Sequence, residues 1–212
     1  MKKGSYFITG TNTDAGKTYV TALLTRSLRE RGKKSAAIKP ISCGGRQDVE
    51  ALYNACSGEL AQTQINFLHY DLPLAPLPAS EEATSEAQAP NFSPSDIITP
   101  TFSLAKEYDY LFVEGIGGWI VPITNNYTTV HLAQELGFPI LLVVRNRLGA
   151  LNHTLLTLEA IARSGLHCSG ILVNHHPEDE GDPAQPGNRR YFRKLGLELY
   201  YEIFPYQDNF LI

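Results

Sequence analysis

The chain has little charge and no long apolar run, and each shortage excludes a class of protein. Charged residues make up 19% of its 212 residues, which is too few for a disordered polyelectrolyte. The net charge of −4 disfavours a nucleic-acid binder that works through phosphate contacts. The longest apolar runs, such as Phe138 to Val144, are too short to cross a bilayer. We therefore expect neither nucleic acid nor a membrane among the partners.

Cysteine is equally scarce. The three cysteines, Cys43, Cys56 and Cys168, are odd in number and show no framework spacing, which disfavours a disulfide-stapled secreted domain. The opening residues carry charge but no apolar stretch of signal-peptide length. These two observations predict a reduced, cytoplasmic protein.

The sequence does contain enough apolar and aromatic side chains for a full core, at 43% and 10% of its residues. Short β-branched and aromatic runs alternate with longer stretches whose apolar residues recur at helical spacing. Apolar strands separated by helices predict an α/β fold, a single domain over residues 1–212 with a mostly parallel sheet and helices on both faces. The predicted strands cover residues 6–9, 36–38, 110–113, 139–144 and 170–173, and the predicted helices cover 16–31, 48–55, 130–136, 150–164 and 188–195.

One stretch departs from this alternation. Residues 71–100 are rich in Pro, Ala, Ser and Glu, with Phe92 as almost the only aromatic anchor. The stretch is too long for a plain connection inside a compact domain. It is either a mobile surface excursion or a loop over a ligand site.

A phosphate-binding loop follows the first predicted strand. Gly10–Thr18 reads Gly-Thr-Asn-Thr-Asp-Ala-Gly-Lys-Thr, with one more residue between its glycines than the common form. Glycines let successive N–H groups point at an anion, and the helix that follows adds its positive end. Lys17 would reach the β- and γ-phosphates, and Thr18 would offer its hydroxyl to Mg²⁺. The loop predicts a phosphate-loop NTPase fold, against the alternative of an ordinary glycine turn.

The residues that follow the last predicted strand indicate which base the nucleotide carries. This segment reads Val173-Asn174-His175-His176 and lacks the Asn-Lys-x-Asp motif by which many GTPases read guanine. Adenine is therefore favoured, and Asn174 is a candidate for contacting its edge. Adjacent histidines on one loop have poor geometry for chelation, so a zinc site is not expected here.

Charged side chains follow two other predicted strands. Lys39 comes at the end of the second strand, where it is either a second ammonium for the phosphoryl group or a surface lysine. Asp48 opens the next helix and is either a Mg²⁺ ligand or an N-cap. Glu114 comes directly after a buried strand and is a candidate metal or water ligand. The glycines of 115–118 would let a ligand approach the backbone closely.

With these blocks in this order, the chain resembles the dethiobiotin synthetases of biotin synthesis, over nearly its whole length. The extended loop together with Val-Glu-Gly-x-Gly-Gly-Trp at 113–119 is the most specific part of the likeness. The resemblance implies that 7,8-diaminononanoate is carboxylated with CO₂ and ATP, with Mg²⁺. The implied path runs through a carbamate and a carbamic–phosphoric anhydride to the ureido ring, releasing ADP and phosphate.

The resemblance also implies residue roles. Thr13, Lys17 and Lys39 would act on the phosphates and the carbamate, and Thr18, Asp48 and Glu114 would hold Mg²⁺. ATP would be bound by Asn12, Thr13, Asp14, Ala15, Gly16, Lys17, Thr18, Tyr19, Asn174 and Pro205. The diamine would be bound by Lys39, Cys43, Gly117, Gly118, Asn152 and Tyr191, of which Asn152 and Tyr191 would act across a homodimer interface.

The chain departs from the family pattern at two places. Cys43 stands where members usually carry Ser or Thr, and a thiol is a weak hydrogen-bond donor. The segment around Leu77 lacks the His often found there.

Two other functions stay open: a partitioning or positioning ATPase switch of the same superfamily, and an amidoligase of the cobyrinic-acid type. The first usually has another lysine early in the loop, and the second needs a glutaminase domain.

Overall fold

The computed structural model describes residues 1–84 and 91–204, and within them six strands form one parallel sheet. The strands span Gly4–Gly10 (β1), Ser35–Ile38 (β2), Tyr110–Glu114 (β5), Ile140–Arg145 (β8), Cys168–Asn174 (β9) and Leu199–Ile203 (β10). Their order across the sheet is β10, β9, β8, β1, β5, β2. Five of them confirm predicted strands, and the α/β fold with a parallel sheet is confirmed.

The central strands are buried on both sides, which explains why their sequences are continuously apolar instead of alternating. Every residue of β5 is buried, and so are the first five residues of β8. A parallel sheet with both faces covered selects for such runs. These strands could therefore be predicted from the sequence, although their apolar residues do not alternate with polar ones.

Helices cover the two faces of the sheet because the connections between parallel strands are right-handed. The crossover through α1 moves from β1 towards β2, whereas the later crossovers move the opposite way, so α1 and α5–α8 lie on opposite faces. The helices are Lys17–Glu30 (α1), Gln47–Ala55 (α2), Gln62–Ile65 (α3), Pro76–Glu81 (α4), Ser95–Glu107 (α5), Thr129–Leu136 (α6), Ala150–Arg163 (α7) and Gln185–Arg193 (α8). No helix of the described ranges is both long and apolar enough to cross a bilayer.

Several elements lie outside the predicted set. Helix α5 contains Pro100, and α4 lies inside the stretch that was expected to be an irregular excursion. Two small sheets accompany the main one: β3 (Ile41–Cys43) pairs with β4 (Leu68–Tyr70) in parallel, and β6 (Pro122–Thr124) pairs with β7 (Tyr127–Thr128) antiparallel. The carboxyl ends of the main strands carry Lys39, Glu114, Arg145 and Asn174.

Candidate active site

The phosphate loop is shaped by one cap and one glycine. The Asn12 side-chain oxygen accepts a hydrogen bond from the Thr13 N–H at 2.8 Å, which starts a short 3₁₀ turn over Thr13–Ala15. Gly16 then adopts φ = +86° in the left-handed region, and α1 begins at the next residue. The Asn174 side-chain amide donates to the Ala15 carbonyl at 3.1 Å and occupies the space in which a Cβ on Gly16 would lie. Only glycine therefore fits this turn.

Lys17 is buried beneath the loop, with 5% of its surface exposed. Its ammonium donates to the Thr13 carbonyl at 3.2 Å. The pKa of Lys17 is lowered to about 8, mainly by burial; Glu114 opposes this shift, and the neighbouring Lys39 contributes to it. No described carboxylate forms an ion pair with Lys17, so its charge is available to an anion in the loop.

Lys39 joins the other charged residues into one cluster. Its ammonium donates to Glu114 Oε1 at 2.9 Å and also to Asp48 Oδ2. The Thr18 hydroxyl donates to the same Glu114 oxygen at 2.7 Å. Burial alone would lower the pKa of Lys39, but Glu114 and Asp48 outweigh it and raise the pKa. Asp48 has a lowered pKa because Lys39 and Thr18 offset the effect of its own burial.

These positions decide two alternatives that the sequence left open. Lys39 is not a surface lysine, because its side chain is 8% exposed. Asp48 is not an N-cap: α2 begins at Gln47 with Arg46 in the capping position, so the Asp48 carboxylate faces the cluster from the first turn.

The cluster is chemically suited to Mg²⁺. Thr18, Asp48 and Glu114 offer hard oxygen donors, and Glu114 Oε2 is buried with no hydrogen-bond partner among the described residues. Mg²⁺ is commonly held by one or two carboxylates together with substrate phosphates. The described residues contain no group of three His, Cys, Asp or Glu side chains placed to hold a metal ion.

A cleft of about 970 Å³ opens in front of the loop. Its volume lies at the upper end of the range for small-molecule sites. The cluster forms its floor, Arg145, His176 and Glu178 line one side, and Cys43, Pro73 and Gly117 line another. Part of the 71–100 stretch, at Pro73, Leu74 and Ala75, therefore faces the candidate ligand site.

The remaining expected site residues fall into four groups. Thr13, Asp14, Gly16 and Tyr19 line the cleft, whereas Asn12 and Ala15 line a smaller hollow on the other side of the loop. Gly118, Asn152, Asn174 and Tyr191 do not line the cleft, and Asn152 and Tyr191 are exposed. Pro205 lies outside the described residues.

Cys43 lies at the end of β3, on the wall of the cleft. Burial raises the pKa of its thiol to about 11, although Lys39 opposes the shift. The thiol is therefore protonated at neutral pH and is a poor nucleophile. Its role in the cleft is limited to weak hydrogen bonding and shape.

Sequence reasoning missed one wall of the cleft. Arg145 follows the buried part of β8 and binds Asp179 through two nitrogens and Glu178 through one, the last at 3.0 Å. Its side chain is 11% exposed. An arginine at the end of a central strand was a signal in the sequence, of the same kind as Lys39 and Glu114 at the neighbouring strand ends.

A second unforeseen contact joins the two ends of the described chain. The His175 ring stacks on Phe204 with centroids 4.3 Å apart, and the Tyr19 hydroxyl donates to the Phe204 carbonyl at 3.2 Å. Arg189 and Arg193 of α8 both pair with Glu202 of β10, at 2.6 and 2.5 Å.

Comparison with known proteins gives a consistent result. A family model described as an AAA domain matches residues 4–203. An ATP-dependent dethiobiotin synthetase from Akkermansia muciniphila is 37% identical over 87% of this chain and 84% of its own length. Those from Anaeromyxobacter dehalogenans and Anoxybacillus flavithermus are 37% and 32% identical, over 96% and 97% of this chain and 90% and 93% of theirs.

Solved structures resemble the fold at low sequence identity. FtsY from Mycoplasma mycoides superposes with a TM-score of 0.58 at 15% identity, over 98% of this chain and 62% of its own, so this chain spans less than two thirds of it. A ParA family ATPase from Chlorobium tepidum superposes with a TM-score of 0.57 at 15% identity, over 97% of this chain and 86% of its own. At this identity the likeness concerns the fold alone.

Proposed function

We propose that this chain, which belongs to the ATP-dependent dethiobiotin synthetase family, converts 7,8-diaminononanoate, CO₂ and ATP into dethiobiotin, ADP and phosphate. The observation that carries the proposal is the convergence of Lys17, Lys39, Asp48 and Glu114 on the floor of one cleft, directly beside the phosphate loop. A nucleotide held by the loop would place its γ-phosphate against this floor.

The reaction has three steps. One amine of the diamine attacks CO₂ and loses a proton, which gives a carbamate. A carbamate oxygen attacks the γ-phosphorus of ATP, the bond to the β-γ bridging oxygen breaks, and ADP leaves with a carbamic–phosphoric anhydride formed. The second amine attacks the carbamoyl carbon, the C–O bond to phosphate breaks, and the ureido ring closes with loss of a proton.

The residues of the floor act mainly by position and charge. Lys17 would bind the β- and γ-phosphate oxygens, and Lys39 would stabilise the negative charge shared between the carbamate and the transferring phosphoryl group. Thr13 would orient the phosphate from the loop. In a net-acidic protein these local cations are needed, because the overall field does not attract a triphosphate.

Thr18, Asp48 and Glu114 would hold Mg²⁺ together with phosphate oxygens. When bound, Mg²⁺ would neutralise phosphate charge and favour in-line geometry. Asn174, whose amide holds the Ala15 carbonyl, would contact the edge of adenine, and Tyr19 would lie beside the nucleotide.

The substrate side of the proposal rests on the other wall of the cleft. Gly117 adopts φ = +60° and lines the cleft, so a long aliphatic diamine could lie against backbone there. Asn152 and Tyr191 are exposed on α7 and α8, which suits a role across a homodimer interface. We place the enzyme in the cytoplasm and treat the chain as one synthetase domain.

A direct assay tests the proposed reaction. Purified protein is incubated with the diamine, bicarbonate, ATP and Mg²⁺, and the ring-closed product is measured by mass spectrometry. Omission of any one component should abolish product, and Lys17→Ala should lower turnover by orders of magnitude while the fold persists. Rapid ATP hydrolysis without the diamine, and no ureido product with it, would favour the ATPase switch instead.

A further inference from the structure

The ammonium of Lys39 binds both carboxylates of the oxygen cluster proposed above to hold Mg²⁺. We propose that Lys39 and the divalent cation compete for this one position, so that arrival of the cation releases Lys39 towards the reacting groups. The inference rests on the proposed function, since it concerns the same cleft. It adds a conformational step that neither the fold nor the family likeness supplies.

The contacts define the shared position. Lys39 Nζ binds both Asp48 and Glu114, and the Glu114 oxygen that it contacts at 2.9 Å also accepts the Thr18 hydroxyl at 2.7 Å. Asp48 and Glu114 therefore bind this ammonium directly, and Thr18 is linked to it through the shared Glu114 oxygen. A divalent ion bound to the same oxygens would lie within a few ångströms of Nζ.

Charge and burial prevent the Lys39 ammonium and the divalent cation from occupying this position together. The Glu114 side chain is 0% exposed and that of Lys39 8%, so water screens their interaction little. Two neighbouring carboxylates in such a place require a cation, which Lys39 supplies in the absence of metal. A second cation at the same distance would be strongly repelled at low effective dielectric.

The released side chain has somewhere to go. Lys39 and Asp48 both line the open cleft, and the Asp48 side chain is 48% exposed, so the cluster is accessible from the substrate side. Lys17, the other cation of the floor, contacts the Thr13 carbonyl and stays with the loop. The flexible lysine stem lets its ammonium turn from the carboxylates towards an oxygen of the transferring group.

Metal binding to the nucleotide-free protein tests the competition. Mn²⁺ is titrated into the wild type and into Lys39→Met, and free Mn²⁺ is measured by electron paramagnetic resonance. Removal of the competing ammonium should tighten Mn²⁺ binding at least about tenfold. Lys3→Met is the matched control, because its 64%-exposed side chain pairs with Asp109 away from the cleft and its loss changes net charge equally. It should leave Mn²⁺ affinity unchanged.

A second variant distinguishes competition for the cation position from the general repulsion of Mn²⁺ by nearby positive charges. Lys17→Met removes a nearby charge that contacts neither carboxylate, so it should tighten Mn²⁺ binding less than Lys39→Met does. Equal Mn²⁺ affinity in the wild type and Lys39→Met, including no measurable binding by either, would overturn the inference. So would an equal gain in Lys17→Met.

The wild type offers a test that does not depend on the folding of a variant. Nitrogen NMR of the lysine ammonium groups follows Lys39 directly while Mg²⁺ is added without nucleotide. The Lys39 signal should move with the same dependence on Mg²⁺ as binding itself. An unchanged signal at saturating Mg²⁺ would overturn the exchange, whereas failure of the proposed reaction would appear separately, as absence of ureido product.

Discussion

Among single side chains, Cys43 is the clearest departure from what the resemblance implies. Its thiol stays protonated at neutral pH and lies on the cleft wall beside the substrate half. If a weak donor there limits the carbamate step, Cys43→Ser should keep or raise the rate of product formation. Cys43→Ala is the matched control, because it removes the donor without adding another. Initial rates that are equal in the two variants would mean that Cys43 only fills space, and a strong loss in Cys43→Ser would contradict the prediction.

Gly16 offers a separate test of the loop. Gly16→Ala should lower the free energy of unfolding by about 1–3 kcal/mol and weaken ATP binding, because it strains φ and displaces the Asn174 amide. Gly32→Ala is the control, since Gly32 has φ = +70° and nothing within 4 Å of an added Cβ. Urea denaturation measures the loss of stability of each variant, and ATP titration measures its loss of affinity. Both variants share the strain of a left-handed φ, but only Gly16→Ala collides with the Asn174 amide. Equal losses in the two would contradict the role given to Asn174.

The central strands were predictable from the sequence because burial on both faces leaves long apolar runs. The phosphate loop and the polar residues at strand ends could be found in the same way, since they interrupt those runs. For this reason the sequence alone indicates that Lys39 and Glu114 follow strands, and the structure brings them into contact at 2.9 Å.

The elements that escaped prediction have weaker local signals. Helix α5 contains Pro100, which reads as a break, yet Ile97, Thr101 and Leu104 recur at helical spacing and are buried in it. Strand β10 is half-buried and carries Glu202, so it lacks the apolar character of its neighbours. Ion pairs between distant segments, such as Arg145 with Asp179, have no local pattern that a sequence could reveal.

The connection after β9 depends on this ion pair. Arg145 holds the short 3₁₀ turn at Pro177–Asp179 against the cleft, next to His176. Arg145→Met should free the turn and raise the KM for ATP about tenfold with little change in kcat, because the proposed function puts the nucleotide against this part of the cleft. Arg163→Met is the control: its partner Glu159 is one helical turn away and both are exposed, so KM should not change.

Steady-state kinetics with varied ATP and saturating diamine measures both constants. A fall in kcat at unchanged KM would contradict the positioning of ATP by Arg145. A lower melting temperature with an unchanged KM for ATP would mean that the ion pair only stabilises the fold.

The chain as a whole is predicted to work as a homodimer with shared sites. Asn152 and Tyr191 lie on α7 and α8, outside the cleft of their own subunit, with Leu148 and Leu156 exposed nearby in sequence. If a partner supplies these side chains, specific activity should fall on dilution as dimers dissociate. Sedimentation at assay concentrations measures the dimer fraction directly. A fully active monomer would contradict the prediction.

Mixed subunits give a second measurement of the shared site. Lys17→Ala and Tyr191→Ala should each be inactive alone, but in a heterodimer both lesions can fall in one site and leave the other intact. Some activity should therefore return on mixing. Mixtures that stay inactive, although heterodimers form, would mean that each site is complete within its own subunit.

The hydrogen bond between Tyr19 and Phe204 spans 185 positions of the chain. Translation therefore produces Tyr19 and the phosphate loop long before β10 and Phe204. At roughly 5–20 residues per second, about 10–40 seconds of synthesis separate the two partners. The stack of His175 on Phe204 likewise forms only once β10 has been made. We therefore expect the helix that follows the phosphate loop to gain this tertiary contact only after β10 has docked, as one of the later steps of folding.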